Sequence, residues 1–356
     1  MIKRRVFYVV AVVGLMVTSY KGYSQSQMIM TIMQDVQPVR IGFRGSGAVT
    51  IDWGDGKRDC IAISSAFSEY AHFYPDSNFF HKSNPPIYTI TIIGENITSM
   101  QCFRLKLTSL DVTKNKKLKD LRCSYNLLTN LDVSKNKKLK SLYCTDNQLL
   151  NLDISKNKAL ENLDCSSNQL TTLDVSKNKA LTEIFCGWNQ LTTLDVSKNI
   201  ALTGLACHNN QLINLDVSKN ILLTFLQCRS NQLSNLNVSK NTLLMKLYCN
   251  DNKLINLDVS KNTMFWELRC DNNQLTNLDV SKNIALEEIH CGYNNFSEDA
   301  LNTLFETLHN QTDDDGWASI FIYENPGTEK CNQSIAEKKG WNVIDKSYKP
   351  NNQINE

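Results

Sequence analysis

Cysteine is the residue best placed to do chemistry in this 356-residue chain, which holds 12 of them. Ten fall on a ruler. Cys102, Cys123, Cys144, Cys165, Cys186, Cys207, Cys228, Cys249, Cys270 and Cys291 follow one another every 21 residues without an insertion. Aligned thiols could ligate a metal, form disulfides or pack. Tetrahedral zinc needs four ligands converging on one point, and a single-file column offers a line. Neighbouring Cα atoms about 4.8 Å apart would sit inside the disulfide window, but parallel side chains aim the sulfurs the same way. Cys144 alternates with Tyr143 and Thr145, so it faces inward with Leu142. Reduced Cys behaves as a small buried hydrophobe. The column is therefore expected to be packing thiols, with no metal and no cofactor. Cys60 and Cys331 lie outside it, and their redox state is open.

The elements that position these thiols follow from the surrounding phrase, L-x-x-L-x-C-x-x-N-x-L-x-x-L-D-V-S-K-N-x-x. A fixed period of this size marks a stacked repeat array. Each unit contains two near-copies of L-x-φ-x-x-N, such as "LYCTDN" (Leu142 to Asn147) and "LDISKN" (Leu152 to Asn157). Their alternation predicts two short strands per coil, stacked into parallel sheets. Burying a Leu is worth about 1.5–3 kcal/mol, while ordering each residue's backbone costs about 1–2 kcal/mol. A lone coil with both edges in water cannot offset that, so stability must come from neighbours and from caps. Two Asn columns should close the turns, since a short amide offers both a donor and an acceptor. The first holds Asn126, Asn147, Asn168, Asn189, Asn210, Asn231, Asn252, Asn273 and Asn294; the second begins at Asn115 and ends at Asn283.

On these residues, from about Gln101 to Phe296, the chain resembles the leucine-rich-repeat family in the 21-residue form of bacterial surface proteins. The resemblance implies a β-rich leucine-rich-repeat solenoid with parallel β-sheets, whose first strand lines a concave binding face. The columns pointing out of that strand are the variable ones, for example Phe185, Ala206, Gln227, Tyr248, Arg269 and His290. Candidate ligand-binding residues are Tyr143, Phe185, Trp188, His208, Phe225, Gln227, Arg229 and Tyr248, because exposed aromatics beside Arg are typical interface anchors. The second half-coil repeats Asp153, Asp174, Asp195 and Asp216 with Lys156, Lys177, Lys198 and Lys219, which reads as a solvated wall.

The flanks differ from the array. Residues 1–24 read as a signal peptide, with Lys3, Arg4 and Arg5 before an apolar run too short to span a bilayer comfortably. Export to the periplasm, cell surface or medium is expected, with no integral membrane segment after cleavage. Residues 25–99 hold short β-type runs, Met28 to Met33, Val39 to Phe43, Val49 to Trp53 and Tyr88 to Gly94, which predict an antiparallel β-sandwich. "IDWGDG" and "YTITIIG" there resemble PKD-type domains. Asp52 and Asp55 read as turn residues, His72 and His81 as core or surface histidines. Residues 297–345 predict a small α/β cap: a helix from Ser297, an Asp313–Gly316 turn, a strand at Ser319 to Tyr323, a helix over 329–339 and a last strand at Val343. Residues 346–356 form a polar tail.

The formal charge of +2 leaves no nucleic-acid or acidic-membrane footprint. The chain has no nucleophile elbow, zincin motif or phosphate loop. His208 and His290 stand four coils apart, roughly 19 Å by strand spacing, too far to share a metal. The expectation is an exported, monomeric, non-catalytic binding module for a protein or surface glycan. The alternative, a structural spacer, gives no reason for a varied strand.

Overall fold

The computed structural model describes residues 26–33, 38–74, 86–311 and 318–346. The signal segment, His81, the Asp313–Gly316 turn and the tail beyond residue 346 lie outside them. Eight strands open the fold: β1 (Gln27–Met33), β2 (Val39–Gly45), β3 (Gly47–Asp52), β4 (Arg58–Ile63), β5 (Ser68–His72), β6 (Ile87–Ile93), β7 (Ile97–Gln101) and β8 (Leu107–Asp111). Alternation sets their faces: Met28, Met30 and Ile32 point into the core and their neighbours do not. One sheet runs β4-β3-β6-β1-β8. The other begins β5-β2-β7, with β2 antiparallel to both neighbours.

The array continues from β7. Nine three-residue strands follow: β9 (Asp120–Arg122), β10 (Ser141–Tyr143), β11 (Asn162–Asp164), β12 (Glu183–Phe185), β13 (Gly204–Ala206), β14 (Phe225–Gln227), β15 (Lys246–Tyr248), β16 (Glu267–Arg269) and β17 (Glu288–His290). All pair in parallel with like positions opposed, as Leu142 with Leu163. Because β7 pairs with both β2 and β9, the N-terminal strands are spliced into the solenoid sheet. β8 belongs to the first coil yet pairs with β1. The open edge of the first coil is thereby covered, and a single apolar core runs from Met28 to Trp341.

Each thiol of the column is completely buried. The second half-coil differs from expectation: beyond β8 it forms no strand. Its amides are used locally. Ser134 N donates to Asp132 Oδ1 (2.8 Å), Asn136 N to Val133 O (2.9 Å) and Leu139 N to Asn136 O (2.9 Å). With those donors turned inward, a lateral ladder cannot form, and the coils are tied there by side chains instead.

The two Asn columns do this unequally. In the first, Asn147 Nδ2 donates to the carbonyls of Cys123 (3.0 Å), Cys144 (3.0 Å) and Thr145 (3.3 Å), and its Oδ1 accepts from Leu128 N (3.1 Å). In the second, Asn157 Nδ2 donates to Val133 O and Asn136 O (both 2.9 Å), while its buried Oδ1 has no partner among the described residues. The same orphan oxygen recurs from Asn115 to Asn283. The donor half of the amide alone is used there.

Helix α1 (Glu298–Thr307) starts on Ser297, whose Oγ accepts from Ala300 N (3.2 Å), and buries Leu301, Leu304 and Phe305. Strands β18 (Ser319–Phe321) and β19 (Asn342–Ile344) extend the parallel run. Between them helix α2 (Ser334–Glu337) is much shorter than 329–339: the amide of Asn332 donates to Asn302 Oδ1 (2.7 Å) instead of continuing a helix to Thr328 O, which accepts from Cys331 Sγ. A Cβ on Gly327 would lie 2.2 Å from Glu298 N, so only glycine allows this close approach. Asn325 prolongs the first Asn column, donating to Cys291 O (3.1 Å) and Ile322 O (2.7 Å) and accepting from Asn294 N (3.0 Å).

Candidate binding surface

The middle residue of each short strand is buried, and its two neighbours form the strand face. Parallel register places Phe185, Ala206, Gln227 and Tyr248 in one row and Glu183, Gly204, Phe225 and Lys246 in the next. On β13 both outward residues are small, so the sheet steps down between Phe185 and Phe225. Phe185 leans over the step, with Cε1 3.9 Å from where a Cβ on Gly204 would stand. Phe225 meets Tyr248 edge to face at 5.7 Å.

His208 occupies the row beyond the strands and lies flat over the preceding coil. A Cβ on Gly187 would be 2.3 Å from its Cε1, so the absent side chain makes its seat. Burial, then the Arg229 charge, lowers its pKa from the usual imidazole range and favours the neutral ring at pH 7. Trp188 is not on the strand face. It holds a left-handed turn (φ 54°) shared by Tyr125, Asp146, Ser167 and their successors, and is 54 % exposed on the rim. Tyr143 is also apart from the group: it pairs with Asp164, one strand short of Phe185, and carries Arg122 4.7 Å from its ring centroid.

No protein-family model and no curated protein matches the sequence. Among solved structures, the functional domain of InlJ from Listeria monocytogenes, which includes a cysteine ladder, matches with TM-score 0.63 and 33% identity over 72% of this chain. The match covers 55% of that chain, so this chain spans about half its length. Internalin InlF from Listeria monocytogenes matches with TM-score 0.52 and 18% identity, over 71% of this chain and 87% of that one, a likeness of fold alone. The fold is a leucine-rich-repeat solenoid.

Towards its C-terminal end the solenoid's strand face is occupied by its own polar side chains, a feature the sequence reading missed. Glu267 is buried on β16 and accepts from Tyr248 Oη (2.7 Å), Arg269 Nε (2.7 Å) and Lys246 Nζ (3.1 Å). Burial alone would raise its pKa, but those three donors outweigh it and hold the carboxyl below the usual range. Arg269 reaches on to Glu288 (3.1 Å), which also meets His290, and His290 stacks on Phe321 at 4.0 Å. Charges alternating from Lys246 to Glu267 along one row were the available signal. Tyr248 is thus committed through its hydroxyl, leaving its ring edge to the face.

In the N-terminal sheets, His72 stacks on Trp53 (4.5 Å) and bonds through Nε2 to Asp55 Oδ2 (2.9 Å), with both side chains buried. Asp52 accepts from Gly54 N and Arg58 Nε. Among the described residues no cluster of three His, Cys, Asp or Glu could hold a metal, and no helix is long and apolar enough to cross a membrane.

Proposed function

We propose that this chain is an exported, non-catalytic binding module. Its strand face from β12 to β15 takes a protein or surface-glycan ligand. The observation that carries this reading is the step at Gly204 and Ala206, walled by Phe185 and Phe225 and flanked by His208 and Arg229. Gly204 and Ala206 are buried beneath the side chains around them, so the face presents partly exposed aromatic surface beside a guanidinium, which suits a ligand with an apolar or ring-shaped group to pack on it. The basic and apolar leader at residues 1–24 supports export. Residues 25–99 serve in this reading as the N-terminal cap, in keeping with their PKD-like motifs.

Pull-down and glycan-array screens with the chain from Gln25 onward would identify the ligand. Phe225→Ala with Arg229→Ala should then weaken binding at least about tenfold while the melting temperature moves little. Unchanged affinity in a folded double variant would remove the strand face from consideration.

A further inference from the structure

The solenoid has a second unusual surface, along the edge where each second half-coil turns back toward its strand. Three positions per coil lie there: the two after the second Asn, and the one just before the strand. In the first repeats they are Lys116, Lys117 and Lys119, then Lys137, Lys138 and Lys140, all exposed. Of these six, Lys140 alone has an ion-pair partner among the described residues, Glu161 at 2.6 Å. Further along, the same positions turn apolar and stay exposed: Ile200 and Ile221, then Leu222 and Leu243, then Met245 and Met264 (39–62 % exposed). Trp266 follows at the pre-strand position, with Lys246 Nζ 4.0 Å from its ring centroid. At about 4.8 Å per coil the apolar block runs roughly 15–20 Å. A shallow depression lined by Met245, Met264, Trp266 and Ile284, with Thr263, Ala285 and the exposed carboxylate of Glu287 completing it, opens at the C-terminal end of the block.

The near-neutral total charge conceals this segregation. The acidic residues of the second half-coil do not cancel the lysine block, because each is matched by a lysine of its own phrase, Asp111 by Lys114 and Asp132 by Lys135, which leaves the edge lysines in excess. A contiguous exposed apolar stripe marks an interaction surface. Here it shares a line with a basic block.

We propose that this edge docks on the surface of an anionic lipid bilayer. The lysine block meets the headgroups and the Ile–Leu–Met block enters the interfacial layer. Cationic and apolar side chains on one face is the composition that holds a protein in that layer, and Trp favours the same depth. A second copy of the chain fits less well. Antiparallel pairing of the apolar blocks leaves the lysines unused, and parallel pairing sets lysine against lysine.

Vesicle co-sedimentation with the chain from Gln25 onward, which holds every described element, tests this. The probes are phosphatidylcholine vesicles with and without phosphatidylglycerol. Binding should require the anionic lipid and weaken with salt. Ile221→Glu with Met264→Glu, and separately Lys137→Glu with Lys138→Glu, should each lower the partition coefficient about tenfold or more. All four positions are exposed, and thermal melts would verify folding. The Phe225 and Arg229 variants should bind vesicles normally, which separates this edge from the strand face. Equal binding to both vesicle types, or none, overturns the proposal. So does self-association in sedimentation velocity that the Ile221 and Met264 variants abolish, if vesicle binding persists in them.

Discussion

Raising the pH should unfold this protein far below the range where lysines lose their charge. Ten thiols are wholly buried among leucines and valines. Burial pushes Cys123 and Cys207 up to about 12 and lifts the other eight at least as clearly. In an unfolded chain a thiol titrates near 8.5. A group whose folded pKa is raised contributes stability that is whole below the unfolded value and is lost as pH climbs above it. The folded state keeps a proton that the unfolded state releases, so the slope with pH is negative. One thiol costs about 0.8 kcal/mol by pH 9.0 and about 1.4 kcal/mol for each unit beyond. Ten together cost about 8 kcal/mol by pH 9.0, comparable with the whole stability of many domains, about 5–15 kcal/mol. Circular-dichroism melts in the presence of a non-thiol reductant, from pH 7.5 to 10, should show a steep fall in midpoint beginning near pH 8.5. Replacing Cys165, Cys186, Cys207, Cys228 and Cys249 with Ala lowers the starting midpoint through cavities, but should halve the slope. A flat midpoint to pH 9.5, or a slope indifferent to those five replacements, would refute thiol burial as its cause.

Three other outcomes follow from the same geometry. Asn168→Ala removes four bonds; the carbonyls of Cys144, Cys165 and Ser166 keep Asn147 Nδ2, Asn189 Nδ2 and Asp146 N as donors, but the buried amide of Leu149 loses the partner it has in Asn168 Oδ1. Asn178→Ala removes two bonds and also an orphan oxygen. Denaturant unfolding should therefore rank Asn168→Ala as more damaging by about 2 kcal/mol, with faster hydrogen exchange at Leu149; the reverse order would contradict it. Gly187→Ala should lift His208 off its seat and return its NMR titration upward toward the ordinary imidazole range, at a stability cost below about 1.5 kcal/mol, since a ring can swing away. Thiol labelling of the native protein should reach exposed Cys60 first and Cys331 slowly, with the ten column thiols reacting only after denaturation without reductant; rapid native labelling of more than two would show an open column.

Periodicity made the solenoid legible because a buried column tolerates few residue types, and the sequence repeats them every 21 positions. What it could not reveal is which of two similar phrases forms a ladder. "LYCTDN" and "LDISKN" share apolar spacing, yet the first alone begins on a strand. The difference lies in the amide of the closing Asn: Asn147 N donates across to Ser167 O of the next coil, while Asn157 N turns back to Ile154 O of its own turn. The edge strands β4 and β5 escaped for the opposite reason, since their mostly exposed side chains carry little apolar alternation. On the strand face, alternation identified the outward rows but not their mutual satisfaction, so Tyr248 looked free although Glu267 engages it. The Lys-to-Ile transition along the solenoid edge was visible from Lys116 to Ile284, yet the uniform Asp–Lys phrase beside it drew the reading towards monotony. A column's average describes the coil; its drift from one end to the other describes the surface, and partners meet the surface.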